Sequence, residues 1–168
     1  YAKRSVSTRI AKYLFVVIIF MGIISSLSLL VMASNKSDAE AINISGSLRM
    51  QSYRLLTEME RSPNTVEQNL VRYQDSLNAN VLLTVQNQLF APSGIKASYQ
   101  KILQRWMMMS DFARAHQIEK YHAELKSYVQ DVDDFVLELQ RFAEKKWIIA
   151  VSVLCISMLL ILAMVSYV

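Results

Sequence analysis

Tyr13–Ser34 and Trp147–Val168 are apolar stretches without a charged residue. An α-helix rises about 1.5 Å per residue, so about 20 residues cross a hydrocarbon layer of about 30 Å. Both stretches are expected to be transmembrane helices. A cleaved signal peptide is the competing reading of the first. Its apolar run exceeds the usual length of about 7–15 residues, and no clear small-x-small site precedes the polar sequence. An uncleaved span is therefore expected.

Between the two stretches the pattern turns amphipathic, with helical period. No Gly or Pro lies between Ser34 and Ala41, and apolar positions resume at Ile42 and continue to Met59. This predicts one helix from the N-terminal tail to about Glu60. Arg61-Ser62-Pro63-Asn64 is a break, because proline fits a first turn but not a helix interior. Ser62 and Asn64 are the two candidate caps of the next helix. Val66, Leu70, Tyr73 and Leu77 then form its inner stripe. Val81–Phe90 is apolar-rich and reads either as continued helix or as a packed connection. After the break Ala91-Pro92-Ser93-Gly94, Ile95, Tyr99, Ile102, Trp106 and Met109 mark a third helix, with Leu103 and Phe112 beside them. The methionine run Met107-Met108-Met109 reads as core filling rather than a metal-binding box. A polar turn near His116–Lys120 precedes the fourth helix. Its seam is Leu125, Tyr128, Val129, Val132, Phe135, Val136, Leu139, Phe142 and Ala143, and no breaker separates it from Trp147.

The fold class is therefore all-α. Residues 35–146 are expected to form an antiparallel four-helix bundle, continuous with two transmembrane helices at 13–34 and 147–168. Residues 1–12 form an N-terminal tail.

Charge orients this arrangement. The net charge is +4. Lys3, Arg4, Arg9 and Lys12 precede the first span with no acid among them. The other 14 basic residues face 14 acidic ones between the spans. The excess is a positive-inside signal rather than a nucleic-acid footprint. It predicts a cytoplasmic N-terminus, an outer bundle and a cytoplasmic C-terminus. Lys145 and Lys146 on the outer side are a weak contrary signal, and lysines there can snorkel to headgroups.

Candidate chemistry is sparse. No nucleophile–base set, phosphate loop or Cys-based metal site is present, and the expectation is no catalytic residue, no metal and no cofactor in this segment. His116 and His122 do not share a helical face and read as surface histidines. The single cysteine, Cys155, reads as a small packing residue in the second span. Asp131, Asp133 and Asp134 read as solvated or ion-paired helix positions.

One stripe does not fit packing or solvation. Ile42, Gly46, Arg49 and Tyr53 are spaced 4, 3 and 4, so a helix aligns them. A packing face rarely centres on arginine, and a solvated face rarely holds Gly and Tyr. Ile42-Asn43 with Gly46-Ser47-Leu48-Arg49-Met50-Gln51-Ser52-Tyr53-Arg54-Leu55 resembles the P-box of nitrate/nitrite sensor histidine kinases of the NarX/NarQ type. The flanking Asp38-Ala39-Glu40-Ala41 is similar to the NarQ branch. The match is near-continuous over about fifteen residues and therefore specific.

The resemblance implies a homodimeric sensor in the bacterial inner membrane, its bundle in the periplasm. It implies that nitrate or nitrite is held by the arginine matching Arg49 from each protomer, with Ile42, Gly46 and Tyr53 around it. It further implies a HAMP linker and an ATP-dependent kinase beyond Val168, and a response regulator as partner. Arg54 points about 140° away from Arg49 and is expected to pair with Asp133 or Asp134 of the fourth helix. Two rival readings remain at this level: a nitrate-responsive methyl-accepting chemoreceptor, and a ligand-free membrane scaffold in which Arg49 is dispensable.

Overall fold

The computed structural model describes residues 2–166. Tyr1, in the expected tail, and Tyr167 and Val168, in the expected second span, lie outside the described residues, as do the side chains of residues 2–5 and 165. The elements are α1 (Ala2–Arg61), a 3₁₀ turn (Pro63–Thr65), α2 (Val66–Leu77), α3 (Asn80–Gln86), α4 (Ser93–Arg114) and α5 (Ile118–Ser166). No strand occurs among the described residues. The fold is all-α.

The chain forms two compact units. One is Lys36–Ala143; the other comprises the described residues up to Asn35 and those from Glu144 onward.

Lys36–Ala143 is an antiparallel bundle, and its cross-helix contacts give the register. Gln51 and Glu58 of α1 meet Ser76 and Asn69 of α2, in reversed order. Tyr73 of α2 stacks on Trp106 of α4, while the Tyr99 hydroxyl donates to the Leu77 carbonyl at 2.7 Å. Tyr99 and Trp106 of α4 meet Phe135 and Tyr128 of α5. Arg49 and Ser52 of α1 meet Asp133 and Tyr121 of α5. Each pair runs antiparallel, and the four walls close on one core.

That core is aromatic at its centre. The rings of Tyr73 and Trp106 lie 3.6 Å apart at 20°, and Tyr128 tilts against both. The Tyr73 and Tyr128 hydroxyls bond each other, and the Tyr121 hydroxyl donates to the Ser52 carbonyl at 2.8 Å. Every buried phenol thus has a partner, as a dry interior requires. Burial pushes the phenol pKa values of Tyr73, Tyr99, Tyr121 and Tyr128 upward, so all four stay neutral.

The stripes anticipated for α2 and α4 are buried in full: Val66, Leu70, Tyr73 and Leu77, then Ile95, Tyr99, Ile102, Trp106 and Met109. The methionine run divides differently from expectation. Met109 is buried, but Met107 and Met108 are exposed, because consecutive residues lie about 100° apart around a helix. Neither expected cap of α2 forms a side-chain cap. The Thr65 hydroxyl instead donates to the Ser62 carbonyl at 2.9 Å, and the 3₁₀ turn leads into Val66. The ambiguous Val81–Phe90 stretch is helical only to Gln86. Phe90 then takes a left-handed φ of 67°.

In the second unit, the helical portions carrying the two apolar stretches are long and apolar enough to cross a membrane. Their large side chains, including Leu14, Ile18, Leu29, Ile149 and Leu160, point outward, and Cys155 is exposed among them. Serine hydroxyls donate back to helix carbonyls one turn earlier: Ser26 to Gly22 at 2.9 Å, Ser152 to Ile148 and Ser157 to Val153 at 2.8 Å. Such bonds satisfy hydroxyls where no water is available.

Candidate functional site

Within Lys36–Ala143, α1 has two adjacent faces. Asp38, Ala41, Ser45, Leu48, Ser52, Leu55 and Met59 are buried at alternating spacings of 3 and 4. Ile42, Gly46, Arg49 and Tyr53 each follow one of these by a single residue, about 100° further round. They flank the core instead of entering it. Ile42 is half-buried and packs against the core, while Arg49 and Tyr53 are exposed. A Cβ at Gly46 would meet nothing within 4 Å. The glycine therefore borders open space rather than another helix of its own chain.

Arg49 is held at one end of its fork. Its Nη1 donates to Asp133 Oδ1 of α5 at 2.8 Å. The arginine side chain is 49% exposed and the aspartate 37%. The remaining guanidinium donors have no acceptor among the described residues. Asp133 thus fixes the side chain's direction while leaving donors available, a geometry suited to a small oxyanion.

The pairing expected for Arg54 does not form. Arg54 Nε donates to Glu58 Oε1 at 2.8 Å, one turn further along α1. Asp133 is taken by Arg49, and Asp134 accepts from Gln130 Nε2 at 3.1 Å. The angular offset explains the exchange: Arg49 is directed at α5, and Arg54 lies towards α2. Glu58 also accepts from Asn69 of α2, so Arg54 supports the α1–α2 seam. A cleft of about 390 Å³ lies on that seam, lined by Gln51, Arg54, Arg72 and Ser76 among others.

A second charged group joins α4 to α5. Arg105 Nη1 bonds Asp131 Oδ2 at 2.5 Å and Arg105 Nη2 bonds Glu124 Oε2 at 2.9 Å. Lys101 Nζ reaches Asp131 Oδ1 at 2.6 Å. Burial pushes the Asp131 carboxyl upward, but the bonds from Lys101 and Arg105 outweigh it and hold the group below its ordinary value of 3.8. Charge spacing was a readable signal here. Lys101 and Arg105 are one turn apart on α4, and Glu124 and Asp131 two turns apart on α5. By contrast, no local pattern marks Asp133 as the partner of Arg49.

Comparison with known proteins gives the chain its family. Residues 30–128 match the family model described as type IV pili methyl-accepting chemotaxis transducer N-term. The whole chain is 64% identical to the sensor protein NarQ homolog of Haemophilus influenzae and covers 30% of that protein. It is 34% identical over 151 residues, 90% of the chain, to the nitrate/nitrite sensor protein NarQ of Escherichia coli, covering 26% of it. The chain spans less than a third of the length of these relatives. A family match over more than half of the chain, with NarQ-like sequence from end to end, means that the chain belongs to the family of type IV pili methyl-accepting chemotaxis transducer N-terminal domains, as a NarQ-like sensor portion.

Proposed function

We propose that this chain is the input portion of a membrane-bound nitrate/nitrite sensor in a two-component system. It acts as a homodimer in the bacterial inner membrane, with Lys36–Ala143 in the periplasm. The four basic residues ahead of the first span support that topology. The observation that carries the reading is Arg49: half-exposed, tethered by one donor to Asp133, on the same stripe as the open surface at Gly46.

A two-fold axis beside this stripe brings each Arg49 opposite its own copy. Two guanidinium groups about 7 Å apart repel by roughly 2 kcal/mol at an effective dielectric of 20. A planar anion between them removes that repulsion and accepts charge-assisted bonds from both forks. Gly46 permits close approach of the two copies, and Ile42 and Tyr53 border the site. Only the closed arrangement lets one anion touch both arginines, which supplies the differential affinity that signalling needs. Closure acts on α1 and α5, whose sequences continue into the two apolar stretches. In the longer protein proposed here, that motion controls a C-terminal histidine kinase that uses ATP and serves a response regulator.

The family description favours a second reading, a nitrate-responsive methyl-accepting chemoreceptor. NarQ likeness over the entire chain favours the kinase. The ligand site is the same in both.

Calorimetry with nitrate on the purified dimer tests the site. The expected stoichiometry is about one half per chain, as a single axial anion requires. Arg49→Ala abolishes binding while the protein stays folded and dimeric. Arg49→Lys binds poorly, because an ammonium lacks the planar fork. One nitrate per chain, or undiminished affinity in Arg49→Ala, would remove the axial site.

A further inference from the structure

The two ends of the Lys36–Ala143 bundle differ in chemistry. At one end are the turns around Pro63 and His116. Exposed Glu60, Arg61, Glu67, Arg114, Glu119 and Lys120 surround them. The other end is closed by the segment from Leu77 to Ser93. From Ser76 to Ile95 there is no Asp, Glu, Lys or Arg. Leu82 and Val85 of α3 are buried, and Ala79, Val81 and Ala91 pack partly on the core. Leu89 and Phe90 do not join them: they are 79% and 85% exposed. They are adjacent, at the tip of the connection between α3 and α4.

The register fixes which end this is. A Cβ at Gly94 would lie 3.3 Å from the Glu138 carboxylate, so the start of α4 is level with the last turns of α5 in this unit. From Glu138 to Ala143 α5 advances about 8 Å. The four residues from Gly94 back to Phe90 can span up to about 13 Å. That length is enough to put the tip at the end of the bundle where α1 begins at Lys36 and α5 leaves at Ala143. The first apolar stretch ends at Ser34, two residues before Lys36, and the second begins at Trp147, four residues after Ala143.

Phe90 also holds a φ of 67°. A bulky aromatic residue rarely occupies the left-handed region, and in water this one gains no burial for doing so. An exposed Leu-Phe pair in a segment without charged residues has the composition of a membrane-interface contact. Charged residues would resist that seat, and this end of the bundle carries none in its closing segment.

We propose that Leu89 and Phe90 form a lipid-contacting wedge, seated at the headgroup–acyl boundary of the leaflet on the sensor side. The wedge braces the bundle at a third point beside its two helical tethers. This rests on the membrane reading of the two apolar stretches and is independent of the anion site.

The test uses the full chain with Cys155→Ser, reconstituted in vesicles of phosphatidylethanolamine and phosphatidylglycerol. An environment-sensitive nitrobenzoxadiazole label is placed at Phe90→Cys or, for reference, at His116→Cys. Shallow spin-labelled lipid should quench the label at position 90 several-fold more than that at position 116, with a blue-shifted emission. Leu89→Asp in the Phe90→Cys protein should reduce that quenching by at least half, with unchanged helical circular dichroism. Quenching at position 90 no greater than at position 116 overturns the proposal. A blue-shifted label that lipid does not quench also overturns it, since it marks a protein surface, such as a second copy, as the occupant. Leu89→Asp without effect on quenching overturns it as well, by showing that the label alone seeks the lipid.

Discussion

Arg49 and Arg105 each reach an aspartate of α5, and the two aspartates, Asp133 and Asp131, stand two positions apart. Their surroundings separate them. The side chains of Arg105 and Asp131 are 19% and 8% exposed, against 49% and 37% for Arg49 and Asp133. Lys101 and Glu124 complete the first group, so its charges are satisfied within the chain. The second is a simple pair with donors left over. A desolvated ion pair is costly to break because removal of one partner strands a buried charge. A solvated pair contributes little and is readily exchanged. The first therefore holds α4 to α5, and the second can exchange its partner without loss of the fold.

The sharpest way to break this contrast is to delete each arginine in turn. Arg105→Ala should destabilise the protein by about 3 kcal/mol, the lower end for a broken buried pair, since Lys101 still faces Asp131. Chemical unfolding followed by fluorescence would report it. Arg49→Ala should cost less than about 1 kcal/mol in the same measurement. Equal losses would mean that burial does not distinguish the two pairs.

Acidification sharpens the same contrast. The Asp131 carboxyl is held below its ordinary value in the folded chain, so its ionised form favours folding. That contribution is complete above the ordinary value of 3.8 and disappears as pH falls through the lower folded value. The Tm gap between the wild type and Arg105→Ala should therefore narrow below about pH 4, because protonated Asp131 no longer needs Arg105. A gap that stays constant down to pH 2 would assign the effect of Arg105 to packing.

The smallest effect is expected at Arg54. Its partner is Glu58 one turn along the same helix, and helix pairs of that spacing contribute about 0.3–0.5 kcal/mol. A double-mutant cycle of Arg54→Ala with Glu58→Ala should show coupling of that order, and a cycle with Asp133→Ala should show none.

The parts of this molecule that sequence made readable are those where large apolar residues repeat with helical period. Leu70, Tyr73, Tyr99, Trp106 and Phe135 announce their faces, and all are buried. The inner face of α1 was harder to see because it uses Ala41, Ser45 and Ser52, whose small side chains carry no hydropathy signal. The stripe of Ile42, Gly46, Arg49 and Tyr53 was conspicuous as a stripe, but its position beside the core was not. Cross-helix partners were least accessible. An angle of 140° separates Arg49 from Arg54 on any helix, yet which of them meets Asp133 depends on the rotation of α1 against α5. That rotation is set by Leu48, Leu55 and Met59 in the core rather than by either arginine.

The small residues on the inner face of α1 have a mechanical consequence. The Ser45 hydroxyl donates to the Ala41 carbonyl, and the Ser52 hydroxyl to the Arg49 carbonyl, each at 2.7 Å. Their bonding capacity is turned back into their own helix rather than across to neighbours. At the centre of its inner face this stretch presents low ridges apart from Leu48, with Ile42 and Ile44 packing only at its flanks, while the bulky Leu55 and Met59 interlock towards its far end. Deep interdigitation resists sliding; shallow relief does not. The upper part of α1 is thus built like a smooth bearing, along which a fraction of a turn of axial travel meets few steric collisions.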